Sequence, residues 1–266
     1  MFGGVFATGV LTLAFGSVPG WPAMGGYTNQ DFTGAFGFFG TASVVVSPGI
    51  TPVGPVARVG WLTADRSGNL TFNSTANLAR FVSPFDFAGN YDMESDTARL
   101  RLENPIKLEV TFVGVLSDGG NEIWDLFVDS AGIVIFANGR KQKLTGCTNG
   151  NLSGPCQIEF SGSTLHTGAS RSPFAALGRI DADGAGRIAG RLTSDYGGIP
   201  LRENISGTYT TETDCTLQLT YYTADEGRTS SNGVELMGAV IDGGAGTHLM
   251  VLGPPSGVVN GSLKPQ

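Results

Sequence analysis

Hydrophobic and polar positions alternate along much of this chain. Leu108, Val110, Phe112 and Leu116 fall on one side of a strand, with Lys107, Glu109 and Thr111 on the other; Ile188 and Leu192 oppose Arg187 and Arg191. A two-residue period is that of a half-buried β-strand. In the first half, strand patterns recur at 34–46, 56–64, 69–76, 84–91, 98–103, 107–116, 122–128 and 132–141, punctuated by the turn signals "DRSGN", "SDGGN" and "DSAG". Eight short antiparallel strands predict an up-and-down barrel, which closes on itself and leaves no edge. A pair of sandwiches is the runner-up.

The pattern is written twice. "VGWLTADRSGNLTF" (Val59–Phe72) returns as "LGRIDADGAGRIAG" (Leu177–Gly190), with Gly60 on Gly178, Asp65 on Asp183 and Gly68 on Gly186, an offset of 118. "AGNYDMESD" (Ala88–Asp96) matches "SGTYTTETD" (Ser206–Asp214) at the same offset, Tyr91 on Tyr209. "NGR" at Asn138 matches "NGS" at Asn260 with four residues inserted. One offset held over distant anchors marks an internal duplication. The fold class expected is all-β: two tandem antiparallel barrels, 26–145 and 157–266, joined by a loop over 146–156, with 1–25 as a leader. The repeated phrase is a β-hairpin whose turn Asp65 and Asp183 begin and Gly68 and Gly186 complete. "DADGAG" superficially resembles a calcium loop, but Leu192 stands where an acid is required, and Thr63 replaces Asp181 in the first copy.

Composition narrows the function classes. A net charge of −7 disfavours a nucleic-acid partner. The 41 glycines follow no triplet period, so they mark turns rather than collagen. The apolar run Val5–Phe15 resembles a secretory leader without its basic start, and no other stretch approaches a membrane span. Secretion is therefore expected, with the cytoplasm as the alternative. Cys147 and Cys156 bracket "CTNGNLSGPC" and are expected to pair, leaving Cys215 free and buried. Five N-x-[ST] sequons, at Asn69, Asn73, Asn151, Asn204 and Asn260, admit glycans. His166 and His248 are the only histidines; neither joins a zinc or haem spacing, and no metal or cofactor is expected.

Candidate chemistry lies where the copies differ. The first copy holds most of the aromatics, which predicts an apolar ligand wall of Trp61, Phe72, Phe87, Phe112 and Trp124. Along 56–64, Val56, Arg58, Gly60, Leu62 and Ala64 form one face and Ala57, Val59 and Trp61 an apolar second face. A strand apolar on both sides is buried on both sides, so the second face is expected to pack on the other copy. Arg58 then points inward where the second copy has Ala176, and it needs a carboxylate or a ligand oxygen. At the constant offset, Leu217 and Leu219 fall on Arg99 and Arg101. Either a one-residue bulge shifts the first copy, the favoured reading, or Arg99, Arg101 and Glu103 line its interior. Arg58, Tyr91 and Arg101 are the candidate catalytic donors. No Gly-x-Ser-x-Gly, His-Glu-x-x-His, phosphate loop or dinucleotide fingerprint occurs.

"GTY…DCT" (Gly207–Thr216), with the "A-x-x-G-x-x-x-A-D" hairpin before it, resembles lipocalin-like and allene-oxide-cyclase-like β-barrels. The resemblance covers nearly the whole chain and is a scaffold signature. It departs from the lipocalins in lacking a Gly-x-Trp at the start of the barrel; Trp61 follows Gly60 directly. Some fungal proteins of this shape are natural-product cyclases, including hetero-Diels–Alderases. The resemblance implies a cofactor-free pericyclase that folds a reactive apolar substrate by proximity and a hydrogen bond to developing charge. The alternative is a secreted carrier of a hydrophobic small molecule; a structural surface protein is a third reading. A homodimer is left open.

Overall fold

A computed structural model describes residues 26–44, 54–78, 81–94, 99–103, 111–128, 133–143, 145–165, 171–225, 228–229, 233–253 and 257–266. The stretch expected as a leader, 1–25, and His166 lie outside the described residues. The first half comprises β1 (Gly34–Val44), β2 (Gly54–Ala64), β3 (Asn69–Leu78), β4 (Phe81–Glu94), β5 (Arg99–Glu103), β6 (Thr111–Ser117), β7 (Glu122–Val128) and β8 (Ile133–Lys141). Each strand pairs antiparallel with the next, and β8 returns to β1, closing an eight-stranded barrel. The hydrophobic alternation located these strands to within a few residues.

The second half comprises β9 (Ser153–Leu165), β10 (Arg171–Asp183), β11 (Arg187–Tyr196), β12 (Pro200–Thr211), β13 (Thr216–Asp225), β14 (Arg228–Thr229), β15 (Val234–Ile241), β16 (Gly246–Gly253) and β17 (Gly257–Pro265). Instead of the eight-stranded barrel expected, they form a nine-stranded sheet in the order β12-β11-β10-β9-β17-β16-β15-β13-β14. The ninth strand is the two-residue β14 on the flank of β13, and β12 also pairs with β13, so the sheet curls back on itself. β9 already begins at Ser153, inside the stretch expected as a loop.

The registers of the two halves match at the repeated residues. Gly60 faces Ser74, and Gly178 faces Leu192. A Cβ at either glycine would stand 2.1 Å from a backbone oxygen of the next strand, that of Asn73 or Arg191. The shared glycine therefore lets two strands approach closely at the same place in each copy. The hairpin turns also agree. The Asp65 carboxylate accepts from the amides of Ser67 and Asn69 (2.8 and 2.9 Å), and the Asp183 carboxylate from those of Ala185 and Arg187 (2.8 and 2.9 Å). These bonds hold both carboxyls below their ordinary range: Asn69 is the main cause at Asp65, and the Arg187 amide at Asp183.

The phase of β5 resolves in favour of a one-residue insertion. Tyr91 faces Leu102 and Tyr209 faces Leu219, so the first copy is one residue longer between the tyrosine and the following leucine. Leu100 then faces buried Met93, and Arg101 faces exposed Asp92.

The cysteine expectation is overturned. Cys147 pairs with Cys215, 68 residues on, and Cys156 is the free, buried thiol. Cys156 sits in β9 opposite Ile180, packed in the second core, whereas Cys147 and Cys215 cluster with Val240. Counting loop residues favoured the near neighbour; β9 carries it away into the sheet interior.

The two halves pack outer face to outer face. Ala57 and Val59 of β2 are fully buried against Ala239, Met250 and Val258, as the doubly apolar strand predicts. Small side chains bring the sheets close: a Cβ at Gly37 would lie 2.7 Å from Ile241. Polar ties fix the docking. Asn77 Nδ2 donates to the carbonyls of Val251 and Gly257 (both 3.0 Å), and Asn260 Nδ2 to that of Gly40 (3.0 Å). The Asn260 sequon is buried in this interface and cannot carry a glycan; the Asn69 and Asn204 sequons are exposed.

Candidate functional site

Each half has a pinned lower end, built alike. In the first, the Tyr91 hydroxyl lies within hydrogen-bonding distance of the carbonyls of Asn29 (3.0 Å), Phe32 (2.7 Å) and Asp65, while the amide of Met93 donates to Asn29 Oδ1. In the second, Tyr209 reaches the carbonyls of Asn149 and Leu152 (3.0 and 2.5 Å), and the amide of Thr211 donates to Asn149 Oδ1. Burial, then the Asp65 charge, pushes the Tyr91 phenol up to about 12, so it stays protonated. A short turn completes each lower end: Asp118–Gly120 in one half and Asp242–Gly244 in the other, both opening on an aspartate at positive φ (50° and 52°). The matching "DGG" triplets are an anchor of the duplication that the hydrophobic pattern alone does not bring out.

Above the lower end the first barrel is filled by Phe32, Phe36, Phe38, Leu62, Leu70 and Phe72 with their neighbours. Higher still is Arg58, on the same face of β2 as Gly60 and Leu62. It is 9% exposed, and its Nε has no hydrogen-bond partner. The guanidinium lies over the Phe85 ring at 4.4 Å and near the Phe72 ring at 6.0 Å, and Phe72 stacks on Phe38 at 4.4 Å. No carboxylate pairs with Arg58 among the described residues, and burial lowers its pKa to about 10, which leaves it charged at neutral pH. The neighbouring Ser74 hydroxyl is engaged with the Phe85 carbonyl (2.9 Å). The arrangement is a desolvated cation flanked by aromatic rings inside the barrel.

Of the residues singled out in the sequence, the barrel interior brings together Arg58 and Phe72. Tyr91 sits at the pinned end. Trp61 is half-buried and pairs in register with Gly37 and Asn73, on the strand face that packs against the second half. Trp124 is 42% exposed on the outer wall, 5.5 Å from the ring of Phe136. The side chains of Arg101, Phe87 and Phe112 lie outside the described residues. Phe85 was not singled out. Its signal is its register partner Ser74, two residues from Phe72 on the inward face.

A second feature lies between the halves. A cleft of about 660 Å³ is lined by Phe39, Glu122, Arg140, Asp242, Lys264 and His248, among others. Arg140 bridges Glu122 (3.3 Å) and Asp242 (2.9 Å), and Lys143 also reaches Asp242 (3.1 Å). His248 packs against Phe39 with ring centroids 4.5 Å apart and the planes tilted by 41°, and neither ring nitrogen is hydrogen-bonded. Burial, then the positive field of Arg140, lowers its pKa to about 3. Among the described residues no group of three or more His, Cys, Asp or Glu side chains converges to hold a metal. No described helix is long and apolar enough to cross a membrane.

No protein-family model matches the chain, and no curated protein matches it. Three solved structures show a distant likeness. Transferrin-binding protein B (isotype 1) of serogroup B Neisseria meningitidis is 10% identical at a TM-score of 0.32, over 83% of this chain. This chain spans 55% of the length of that protein. A protein of unknown function of the DUF3598 family from Nostoc punctiforme is 9% identical (TM-score 0.24, 90% of this chain and 99% of that one). The Myxococcus xanthus hemagglutinin, solved with a mannopentaose, is 12% identical (TM-score 0.18, 86% and 99%). Likenesses this remote carry no inference about ligand or activity. None of the comparisons leads to the natural-product cyclases; what stands of the resemblance is the closed eight-stranded antiparallel barrel of the first half.

Proposed function

We propose that this chain is a binding protein of an oxidising compartment, made of two units of common origin. Its first barrel captures an apolar small molecule through a negatively charged oxygen, with Arg58 as the anchor. The observation that carries this reading is a buried guanidinium with no carboxylate beside it among the described residues, held between aromatic rings. An uncompensated buried cation is costly, and a ligand carboxylate is the group that relieves the cost. The Cys147–Cys215 bond supports the compartment, because such bonds persist where thiols are oxidised. Binding is preferred to cyclisation because the Tyr91 hydroxyl is engaged by backbone carbonyls, which leaves Arg58 as the donor placed in the barrel among the described residues.

Calorimetry with octanoate and octan-1-ol tests this. Octanoate should bind, and Arg58→Met should weaken it about ten- to a hundredfold, the worth of a charge-assisted bond. The alcohol should bind weakly and be indifferent to the change. Arg58→Met should melt no lower than the parent, since an apolar replacement removes an unpaired buried charge. Equal octanoate binding by the variant, or a lowered melting temperature, would refute the anchor.

A further inference from the structure

The upper interior of the second half carries a different chemistry. Following each strand inward from the core, Leu192 leads to Ser194 and Tyr196, Ile205 to Glu203, Leu219 to Tyr221, and Ile180 to Phe174. Register joins them: Phe174 faces Tyr196, Ser194 faces Ala176, and Glu203 faces Leu192. Phe174 and Tyr196 meet with ring centroids 4.8 Å apart. Ser194, 2% exposed, donates its hydroxyl to Glu203 Oε2 at 3.1 Å. Tyr221 is buried on the same wall. Burial first, and the nearby Glu203 charge as a further cause, raises both the Tyr196 and Tyr221 phenols. The Ser194 bond sets the carboxylate beside β11, on the face that carries Tyr196 two residues further along the strand. No lysine or arginine pairs with Glu203 among the described residues, and its chain neighbour Arg202 is exposed.

A carboxylate on an aromatic-lined wall, with no cation paired to it among the described residues, favours a cationic guest. A methylated ammonium suits it best, being weakly hydrated and attracted by ring faces as well as by charge. We propose that the upper interior of the second half binds a small cation of the quaternary or methylated ammonium class, caged by Phe174, Tyr196 and Tyr221 against the Glu203 carboxylate. This site is independent of Arg58 and of the reading given for the first barrel.

The test is calorimetry on the full chain with choline, tetramethylammonium and 3,3-dimethylbutan-1-ol, the neutral isostere of choline. Choline and tetramethylammonium should bind saturably, and the isostere at least about tenfold more weakly. Glu203→Gln and Tyr221→Leu should each weaken choline about tenfold or more, and Arg58→Met should leave it unchanged. The proposal is overturned if neither cation binds saturably at millimolar concentration, if the alcohol binds as well as choline, or if Glu203→Gln binds choline like the parent. The isostere comparison needs no variant, so it decides the matter even where a substitution unsettles the sheet.

Discussion

At their lower ends the two copies keep the same bonds: tyrosine to carbonyl, asparagine to strand amide, aspartate to turn amides. At their upper ends they hold opposite charges. Arg58 and Phe85 of the first copy occupy the register positions of Ala176 and Glu203 in the second. One copy sets a cation against a ring, and the other sets an anion near rings. The lower end closes the barrel against water and must satisfy buried carbonyls, so it tolerates little change. The upper interior is relieved of that duty, and a duplicated gene can alter it in one copy without unfolding either. Conserved construction below and inverted charge above are what a scaffold that has specialised twice would show.

The halves also differ in covalent support, and this gives the largest expected effect. The Cys147–Cys215 bond spans 68 residues, all but a few of them in the second half. In the chain-entropy model a loop of that size contributes about 4 kcal/mol. Cys147→Ala with Cys215→Ala should lower the stability of the second half by about that much and leave hydrogen exchange in β3 and β4 nearly unchanged. Equal loss of protection in both halves would mean that they unfold as one unit, and the comparison would then lose its thermodynamic meaning.

Acid should separate the halves at their interface. His248 is neutral in the fold, with a pKa near 3, and titrates near 6.5 once unfolded. The unfolded chain therefore binds the extra proton between these values. Its contribution is fully present above about pH 6.5 and is lost as pH falls toward 3, at up to about 1.4 kcal/mol per pH unit. Around the ring, Arg140 and Lys264 oppose protonation, while Asp242 and Glu122 favour it less strongly. His248→Phe, which keeps a ring against Phe39, should flatten the melting temperature between pH 6.5 and 4.5. An unchanged slope would assign acid sensitivity to carboxylates elsewhere.

Loss of one pinning hydroxyl is smaller, at about 1–3 kcal/mol for a buried carbonyl left unsatisfied. Tyr91→Phe and Tyr209→Phe should cost similar amounts in urea unfolding. A large cost at one and none at the other would show that the lower ends are not equivalent.

Much of this was legible in the sequence. The alternation located the eight strands of the first half, the constant offset announced the duplication, and a strand apolar on both faces announced the interface at Ala57 and Val59. Arg58 was found by comparing copies, because an arginine in an apolar row has a physical cost that shows against Ala176. The disulfide was not legible, since spacing in the chain says nothing of how a strand such as β9 redirects a cysteine. Trp124 illustrates a second limit: composition finds aromatics, but only register tells which wall they face, and Trp124 shares the exposed outer wall with its partner Val115. Glu203 was missed for a related reason. A single glutamate in a strand with polar neighbours reads as solvent-facing until its partner Leu192 places it inside.

The smallest effect on stability tests the comparison most directly. Phe85 stands where the second copy has Glu203, and the Arg58 guanidinium lies 4.4 Å from its ring centroid. Phe85→Glu gives the first copy the acid of the second, placed beside the arginine that the second copy lacks. The ring is 36% exposed, so the hydrophobic loss is partial, and a partly solvated ion pair returns about 0–1 kcal/mol. Stability should move by no more than about 1 kcal/mol in either direction, because the lost cation–π contact and the new pair are of similar size. Ligand binding should not be so indifferent. With a carboxylate of its own, Arg58 no longer favours one from outside, and octanoate affinity should fall about tenfold or more. Choline should gain nothing in the first barrel, because Arg58 neutralises the new acid. Undiminished octanoate binding would show that the apolar wall, rather than the buried cation, selects the ligand, and the inverted charges of the two copies would then be no guide to what each one holds.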